Sequence, residues 1–524
     1  MKRHLYFLFT FCLIIFWSSC RKDFEFSPST GQLEFSKDTV YLDTVFSNIG
    51  SSTYSLKVYN RSNTDINIPS VKLKQGNNSN YRLNIDGMAG KVFSNVQIQA
   101  KDSIYIFIES TININDFTNN GAFLYTDQIE FDAGSNLQNV ELVTLVQDAV
   151  FIYPNKDFDT KVIETLSLNI GGEIYETDIE GRELQSNELH FTNEKPYVIY
   201  GYAAVPNGYT LTIDSGARIH FHENSGLLVS ENASLQVNGT FSTDQELLEN
   251  EVIFEGDRLE PNFSETPGQW GSIWLFEGSR NNIIEYATIK NASIGILCDG
   301  GAEAPESVLK INNSQIYNTV GFGILGRNTS IAAENVVLNK AGQSAFAGTF
   351  GGRYNFTHCT IANYWEGPRQ FPAVLLNNFF IDNENNTLAT DLSEANFNNC
   401  IIYGNDNQEI LLDEIEDDAI NFNFKFTNCL IRFQDNSNFF NGNNYNFEDL
   451  SHYENIIINQ MPDFFDASNN ALIIGDNSSV INKGNANFAI QVPNDILNQN
   501  RTSAPDLGAY QHITFPEDDN ETLN

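Results

Sequence analysis

Over long stretches of this chain apolar residues recur two apart, the spacing that puts side chains on one face of a strand. In the first part, Val40 to Val45, Tyr54 to Tyr59, Ile104 to Ile108 and Val140 to Val146 are rich in β-branched and aromatic residues. Polar clusters such as Gly76-Asn77-Asn78-Ser79-Asn80 separate them. Short strands with polar turns predict a β-sandwich over 28–150. Residues 151–200 read as a connector that grades into the next domain.

From about residue 200 a repeat sets in. Leu211-Thr212-Ile213, Ile219-His220-Phe221, Leu227-Leu228-Val229 and Leu235-Gln236-Val237 follow one another about every eight residues. Gly208, Gly216, Gly226 and Gly239 fall in the turns between. Strands this short leave too few turn residues for separate hairpins. They predict a solenoid with three strands and roughly 24 residues per coil.

Longer-range columns carry the same coil through the second half. Ile311-Asn312-Asn313-Ser314-Gln315-Ile316 aligns with Phe356-Thr357-His358-Cys359-Thr360-Ile361, with Phe397 to Ile402 and with Phe426 to Ile431. Two columns are predicted to point inward: Ile284, Ile311, Ala333, Phe356, Phe397, Phe426; and Ala287, Ser314, Val336, Cys359, Cys400, Cys429. Stacked cysteines point in parallel, which predicts buried free thiols rather than disulfides. Between these columns run Tyr286, Asn313, Asn335, His358, Asn399 and Asn428, a predicted ladder of side-chain amides in which His358 takes an Asn place. The step from Ile361 to Ile402 is long. It implies an insertion between Trp365 and Glu394, expected to overhang one sheet and to hold Arg369, Phe371 and Leu375-Leu376.

These repeats resemble the right-handed parallel β-helix, the pectate-lyase-like fold; the handedness is what the resemblance implies. Gln269 to Trp274 with Asn282 to Ile289, and the closing Ser479 to Gly484, Asp495 to Arg501 and Pro505 to Tyr510, are similar to coils and end segments of such proteins in surface-living bacteria. The resemblance covers about residues 200–512. Leu56 to Ser62 with Ile66-Asn67-Ile68 resembles Ig-like modules of surface lipoproteins. The expected fold is therefore all-β: an N-terminal Ig-like β-sandwich, then a right-handed parallel β-helix over 201–512 with three strands per coil, then a flexible acidic tail over 513–524.

The N-terminus changes the picture. Lys2 and Arg3 precede an apolar run from Leu5 to Trp17, shorter than the ~18–20 residues of a membrane helix. Trp17-Ser18-Ser19-Cys20 resembles a bacterial lipobox, with Trp17 departing from the usual Leu-like residue. Residues 1–19 then form a lipoprotein signal peptide, Cys20 is the lipidated residue and 20–27 is a tether. Arg21 to Glu25 resembles the charged export signal of Bacteroidetes surface lipoproteins. The expected address is the cell envelope, as an outer-membrane lipoprotein exposed at the surface, with a lipid anchor as its sole membrane contact.

Charge bears on partners. Over 524 residues, 67 acidic against 29 basic side chains give a formal net charge of −38. Such a chain repels phosphate backbones, which argues against nucleic acid, and disfavours polyanionic glycans. The outward column Lys290, Tyr317, Asn339, Ala362, Tyr403, Arg432 offers Tyr317, Tyr403 and Arg432 as glycan-binding candidates; Trp365 and Arg369 of the insertion join them. Ordinary exposed sheet and a packed flap are the plainer readings of these two features.

The β-helix family also carries lyases and hydrolases, whose chemistry needs Ca²⁺-binding carboxylates with a base, or paired acids. The family's paired-Arg lyase pattern and its Gly-His-Gly turn are both absent here. Asp413, Glu416, Asp417 and Asp418 are the candidate Ca²⁺ ligands, in a run that reads first as a solvated acidic loop. The expected function is non-catalytic: an envelope protein whose β-helix presents a lateral surface to a glycan or an envelope protein. The alternative is a polysaccharide lyase or glycoside hydrolase working in a side cleft, its catalytic residues unassigned.

Overall fold

The computed structural model describes residues 25–116, 124–440 and 442–516. The chain divides into two compact units between Asp148 and Ala149. No helix among the described residues is long and apolar enough to cross a membrane.

The first unit is two sheets facing one core. A six-stranded sheet runs Ser27–Pro28, Ile66–Leu73, Leu124–Phe131, Gln138–Gln147, Thr39–Phe46, with Val92–Ile98 also paired to Ile66–Leu73. A five-stranded sheet runs Glu34–Phe35, Tyr54–Tyr59, Ser103–Ser110, Tyr81–Ile85, Met88–Gly90. Alternation along each strand decides which side is buried. Leu56 and Val58, Ile106 and Ile108 face inward and meet Leu42, Ile68 and Leu142 of the other sheet. The intervening residues of Tyr54–Tyr59 and Ser103–Ser110 face outward.

The second unit is a parallel coil, in keeping with a β-helix-like fold. Tyr202–Val205, Thr210–Asp214 and Arg218–Phe221 make one turn and pair in parallel with Gly226–Val229, Ser234–Asn238 and Val252–Gly256 of the next. Repetition builds an eleven-stranded and an eighteen-stranded sheet. The stretch 151–200, expected as a connector, already contributes strands: Tyr197–Ile199 pairs with Arg218–Phe221, and the hairpin Thr165–Ile170/Glu173–Glu183 joins the larger sheet.

Register follows the columns read from the sequence. Ile284 pairs with Ile311, then Ala333, Phe356, Phe397 and Phe426, and the column continues to Tyr453. All of these side chains are buried. Identical positions stacked one strand spacing apart bring the rings face to face: Phe356–Phe397 at 5.2 Å, Phe397–Phe426 at 4.9 Å and Phe426–Tyr453 at 5.5 Å, each within 13° of parallel. Cys359, Cys400 and Cys429 stack beside them as free, buried thiols, the Cys359 N–H lying 3.5 Å from Cys400 Sγ. Burial pushes the Cys359 and Cys429 thiols up, and that of Cys298 to about 12.

The Asn column is a corner rather than a strand edge. Tyr286, Asn313, Asn335, His358, Asn399 and Asn428 all have positive φ, between 44° and 53°. Asn tolerates this left-handed region better than most side chains, which accounts for its recurrence here. Some amides bond along the column, as Asn335 Nδ2 does to Asn313 Oδ1 at 2.8 Å. Others reach out to the closing segment: Asn399 exchanges two hydrogen bonds with the Asn485 backbone, and Asn428 Nδ2 donates to the Lys483 carbonyl.

That closing segment, 460–512, lies over the outside of the eleven-stranded sheet. Leu472, Ile496, Ala509 and Tyr510 cover Val337 and Ala362; Ile474, Val480 and Leu507 cover Ile401, Tyr403 and Leu430. Gly508 is held at φ 88° with its N–H on the Asn399 carbonyl. A Cβ there would come within 2.7 Å of Ile401 and Thr360, so the close approach requires glycine. The acidic tail begins later than expected: Ile513 N–H donates to the Ile474 carbonyl and the Phe515 ring packs on Phe465. Residues 517–524 lie outside the described residues.

The insertion also differs from expectation. Leu375 and Leu376 belong to the strand Val374–Asn377 and are buried, so they are wall rather than overhang. The added chain is the loop 364–373 together with the hairpin Phe379–Ile381/Thr387–Ala389. In the preceding turn Phe346–Thr357 runs unbroken and pairs with both Val374–Asn377 and Leu392–Asn398.

Candidate functional site

The outward column expected to stack sugars is a real column. Lys290 pairs with Tyr317 and then Asn339, and Ala362 pairs with Tyr403. Much of it is covered. Tyr403 is 3% exposed and hydrogen-bonded to Met461 Sδ, while Asn339 and Ala362 are buried under the closing segment. Arg432 lies over the Tyr403 ring at 5.2 Å. Tyr317 is largely enclosed, and burial pushes its hydroxyl well above the usual phenol range. The reading of Tyr317, Tyr403 and Arg432 as an open sugar-binding strip is therefore corrected: Tyr403 is covered, with Arg432 against its ring, and Tyr317 is largely enclosed.

Arg369 is likewise engaged. Its side chain is 1% exposed and makes a bidentate pair with Glu409, Nη2–Oε1 2.8 Å and Nη1–Oε2 3.0 Å. Asp406 and Asn405 complete its contacts. Glu409 also accepts from the Ala373 and Asp406 N–H groups. Burial raises the Glu409 carboxyl and the Arg369 charge opposes that rise. Arg369 is thus a strut that pins the loop 364–373 to the coil, not a free ligand-binding cation. Trp365 is half-buried on the same loop, its carbonyl accepting from Asn405 Nδ2.

Asp413, Glu416, Asp417 and Asp418 are exposed and do not converge. Asp417 Oδ1 caps the Ala419 N–H in a local turn. Among the described residues no group of three or more His, Cys, Asp or Glu side chains is placed to hold a metal ion. These residues therefore do not fit the expected Ca²⁺ site. A second acidic group is already paired: Lys290 Nζ, 16% exposed, lies 3.3 Å from Glu255 and 3.9 Å from the exposed Glu265, and the buried Glu251 accepts from Thr288. These contacts secure the loop after Gly256 to the sheet. Cys20 lies outside the described residues.

A partly exposed constellation lies on the other sheet. In each strand the residue between two inward ones faces out, and register strings these into the column Ala204, Leu228, Trp274, Leu297, Leu325, Ala347. Leu375 and Leu411 extend it. The hairpin Thr165–Ile170/Glu173–Glu183 covers the first rungs through Leu166. From Trp274 on, the indole, Leu297 and Leu325 are partly exposed. Beside them Trp274 Nε1 donates to Asp299 Oδ2 at 2.7 Å. Arg327, half-exposed, holds Asp299 through both oxygens, which raises the already high pKa of the guanidinium.

A cleft of about 340 Å³ lies at the lower end, lined by Leu166, Arg182, Ala204 and Leu228. Another of about 350 Å³ lies at the upper end, lined by Phe371, Gln408, Leu411 and Phe440. An indole flanked by a guanidinium and a carboxylate, on a row of Leu side chains, is equipped to bind. Asp299, committed to Arg327 and Trp274, is not placed as a proton donor or base. Sequence reasoning followed columns on the neighbouring strands and missed this one, whose Leu297, Leu325 and Ala347 lie outside the repeats it aligned.

No protein-family model matches the chain, and no curated protein matches it. Among solved structures, a family 123 glycoside hydrolase from Clostridium perfringens, which hydrolyses glycolipid glycans, is similar at 11% identity over 22% of this chain and 25% of that one, with a TM-score of 0.14. The catalytic unit of a GH87 α-1,3-glucanase from Streptomyces thermodiastaticus is similar at 10% identity over 71% of this chain and 73% of that one, with a TM-score of 0.22. The chain spans a quarter of the length of the first of these.

Proposed function

We propose that this is a lipid-anchored protein of the cell envelope, tethered through Cys20, with an Ig-like sandwich ahead of a right-handed β-helix. Its coil presents the face around Trp274 to a glycan or an envelope protein, and it does so without catalysis. The observation that supports this reading is the Trp274–Asp299–Arg327 group on a partly exposed apolar column that ends at a cleft on either side. Aromatic and Arg side chains are the groups that dominate binding at such surfaces.

The test has two arms. Radiolabelled palmitate should enter the wild-type chain in a bacterial host and fail to enter Cys20→Ala. Purified protein should bind members of a panel of polysaccharides and envelope extracts, and Trp274→Ala should weaken that binding at least tenfold. Release of shorter chains from any polysaccharide, with or without Ca²⁺, would replace this reading with a lyase or hydrolase.

A further inference from the structure

One hairpin of the second unit is built as a flap. Thr165–Ile170 and Glu173–Glu183 pair with each other, and Gly181, Arg182 and Glu183 then pair with Tyr202, Ala203 and Ala204 of the coil. Between the two strands the pairing skips from Thr165–Glu180 to Ser167–Glu176. One residue there faces three, a bulge that bends the hairpin. Beyond the bend the hairpin lies over the outer face of the coil. Leu166 is buried against Ala204, Leu228 and Phe276, with Leu168 and Ile179 packed beside it. Near the tip Asn169 Nδ2 donates to Glu231 Oε2 at 3.0 Å.

The flap is tied to itself more than to the coil. Ser167 Oγ donates to Glu176 Oε2, and Thr177 Oγ1 to the Leu166 carbonyl, so the two strands move as one body. Of their residues, Leu166 and Gly181 are the two that are buried. The strand Gly226–Val229 below is buried throughout. A two-stranded hairpin is marginal by itself and depends on what it packs against. The cleft of about 340 Å³ is lined by Leu166 and Ser167 of the flap and by Ala204, Leu228 and Ser230 of the coil. Exposed strands with few buried apolar contacts are the parts of a fold that open first.

Charge works against closure. The strand Glu173–Glu183 carries Glu173, Glu176, Asp178, Glu180 and Glu183, and its one cation, Arg182, is held by Glu188 through two hydrogen bonds. The coil strands under the flap run on into Glu231 and Glu277. Such like charges act over roughly 10 Å at 0.1 M salt and about 30 Å at 0.01 M. What the flap covers is the start of the Trp274 column. Leu228 pairs with Trp274, and the indole packs against the cluster that holds Leu166. Ala204 and Leu228 are buried only while the flap lies on them. Ile170 and Tyr175, on the same side of the hairpin as Leu168, are 44% and 47% exposed, so its underside has apolar surface to spare.

We propose that the hairpin 165–183 is a hinged flap over the lower end of the Trp274 column, held shut by Leu166 and Asn169 and pushed open by its own carboxylates. The inference rests on the reading of that column as a binding face, and it adds a control over how many rungs of the face are available.

Hydrogen–deuterium exchange of the full chain, read by mass spectrometry, tests the motion. Peptides within 166–180 should exchange at least about tenfold faster than those of Thr210–Asp214 and Ser234–Asn238. They should exchange faster in 10 mM than in 500 mM NaCl, and Glu176→Gln with Asp178→Asn and Glu180→Gln should abolish that difference. Acrylamide quenching of indole fluorescence tests the gating, with Trp274→Phe giving the share that belongs to Trp274. Asn169→Ala should raise flap exchange about threefold, the scale of one lost hydrogen bond. Asn169→Ala and Leu166→Ser should each raise the Trp274 share of quenching, with circular dichroism matching the parent.

Three results would overturn the proposal. One is flap exchange as slow as that of the coil. Another is exchange that is the same at both salt concentrations. The third is faster flap exchange in the variants with Trp274 quenching unchanged. None of these measurements uses a ligand, so their failure is distinct from failure of the binding reading, which shows as undiminished binding by Trp274→Ala.

Discussion

Arg501 Nη2 donates a 2.9 Å hydrogen bond to Oδ1 of Asn335, a residue 166 positions earlier in the chain. The same guanidinium donates to the Gly508 and Ala509 carbonyls, and its side chain is buried. One cation thus ties a corner of the coil to the segment that covers it. Replacing Arg501 by Ala would leave two buried acceptors, Asn335 Oδ1 and the Gly508 carbonyl, without a donor, while the Ala509 carbonyl keeps the Ile496 N–H, at a cost of about 2 kcal/mol or more. Guanidinium denaturation should show a lower midpoint for Arg501→Ala, and limited proteolysis should cut first within 460–512.

His358 occupies a corner that four of the six turns build from Asn, and its Nε2 meets Asn399 Nδ2 at 2.9 Å. Burial, aided by the nearby Arg501 charge, holds its imidazole well below the ordinary value of 6.5. The unfolded chain then binds a proton that the folded chain refuses. The associated stability is present above pH 6.5 and is lost as pH falls below it. His358→Asn suits the left-handed backbone and removes this titration. Denaturation midpoints at pH 7.5 and 5 should fall more for the wild type than for the variant; equal falls would show that His358 is not the group responsible.

The Arg369–Glu409 pair is buried at both ends, with side chains 1% and 0% exposed. Removing one partner leaves the other charge stranded, at a cost of about 3–5 kcal/mol. Glu409→Gln and Arg369→Met should therefore each destabilise the coil strongly. Arg369→Met combined with Glu409→Leu should recover much of the loss, because two apolar side chains strand no charge. A double-mutant cycle on denaturation free energies measures the difference.

Phe397 lies in the middle of the stacked rings, with Phe356 on one side and Phe426 on the other. Phe397→Ala opens a cavity between two turns and should cost about 3–5 kcal/mol. Phe397→Leu keeps most of the volume and should cost less. Fluorescence-monitored unfolding of the two variants would rank them.

The inward columns were legible because a stacked coil repeats its burial pattern at every turn. Ile311, Phe356 and Phe397 share a place in the motif because they share a place in space. The covering of Tyr403 and Ala362 was not legible. Their outward position is fixed by local alternation, but what lies over them depends on Leu472, Val480 and Ile496, which fit no repeat. Arg369 read as a free cation for a similar reason: Glu409 sits forty residues on and is brought near by the winding of the chain. Trp274 and Leu297 are a different case. They lie on strands outside the aligned columns, and apolar residues at intervening positions look like ordinary strand composition.

The unbroken run Phe346–Thr357, beside a turn that is interrupted by a hairpin at the same corner, has a consequence for how such a chain can change. Extra residues left the stacking of Phe356 on Phe397 in register, so a corner can accept new sequence without the floors above and below taking notice. Appendages of this kind are where a lineage could acquire a new specificity while its scaffold stays as it was, and where a designer could graft one.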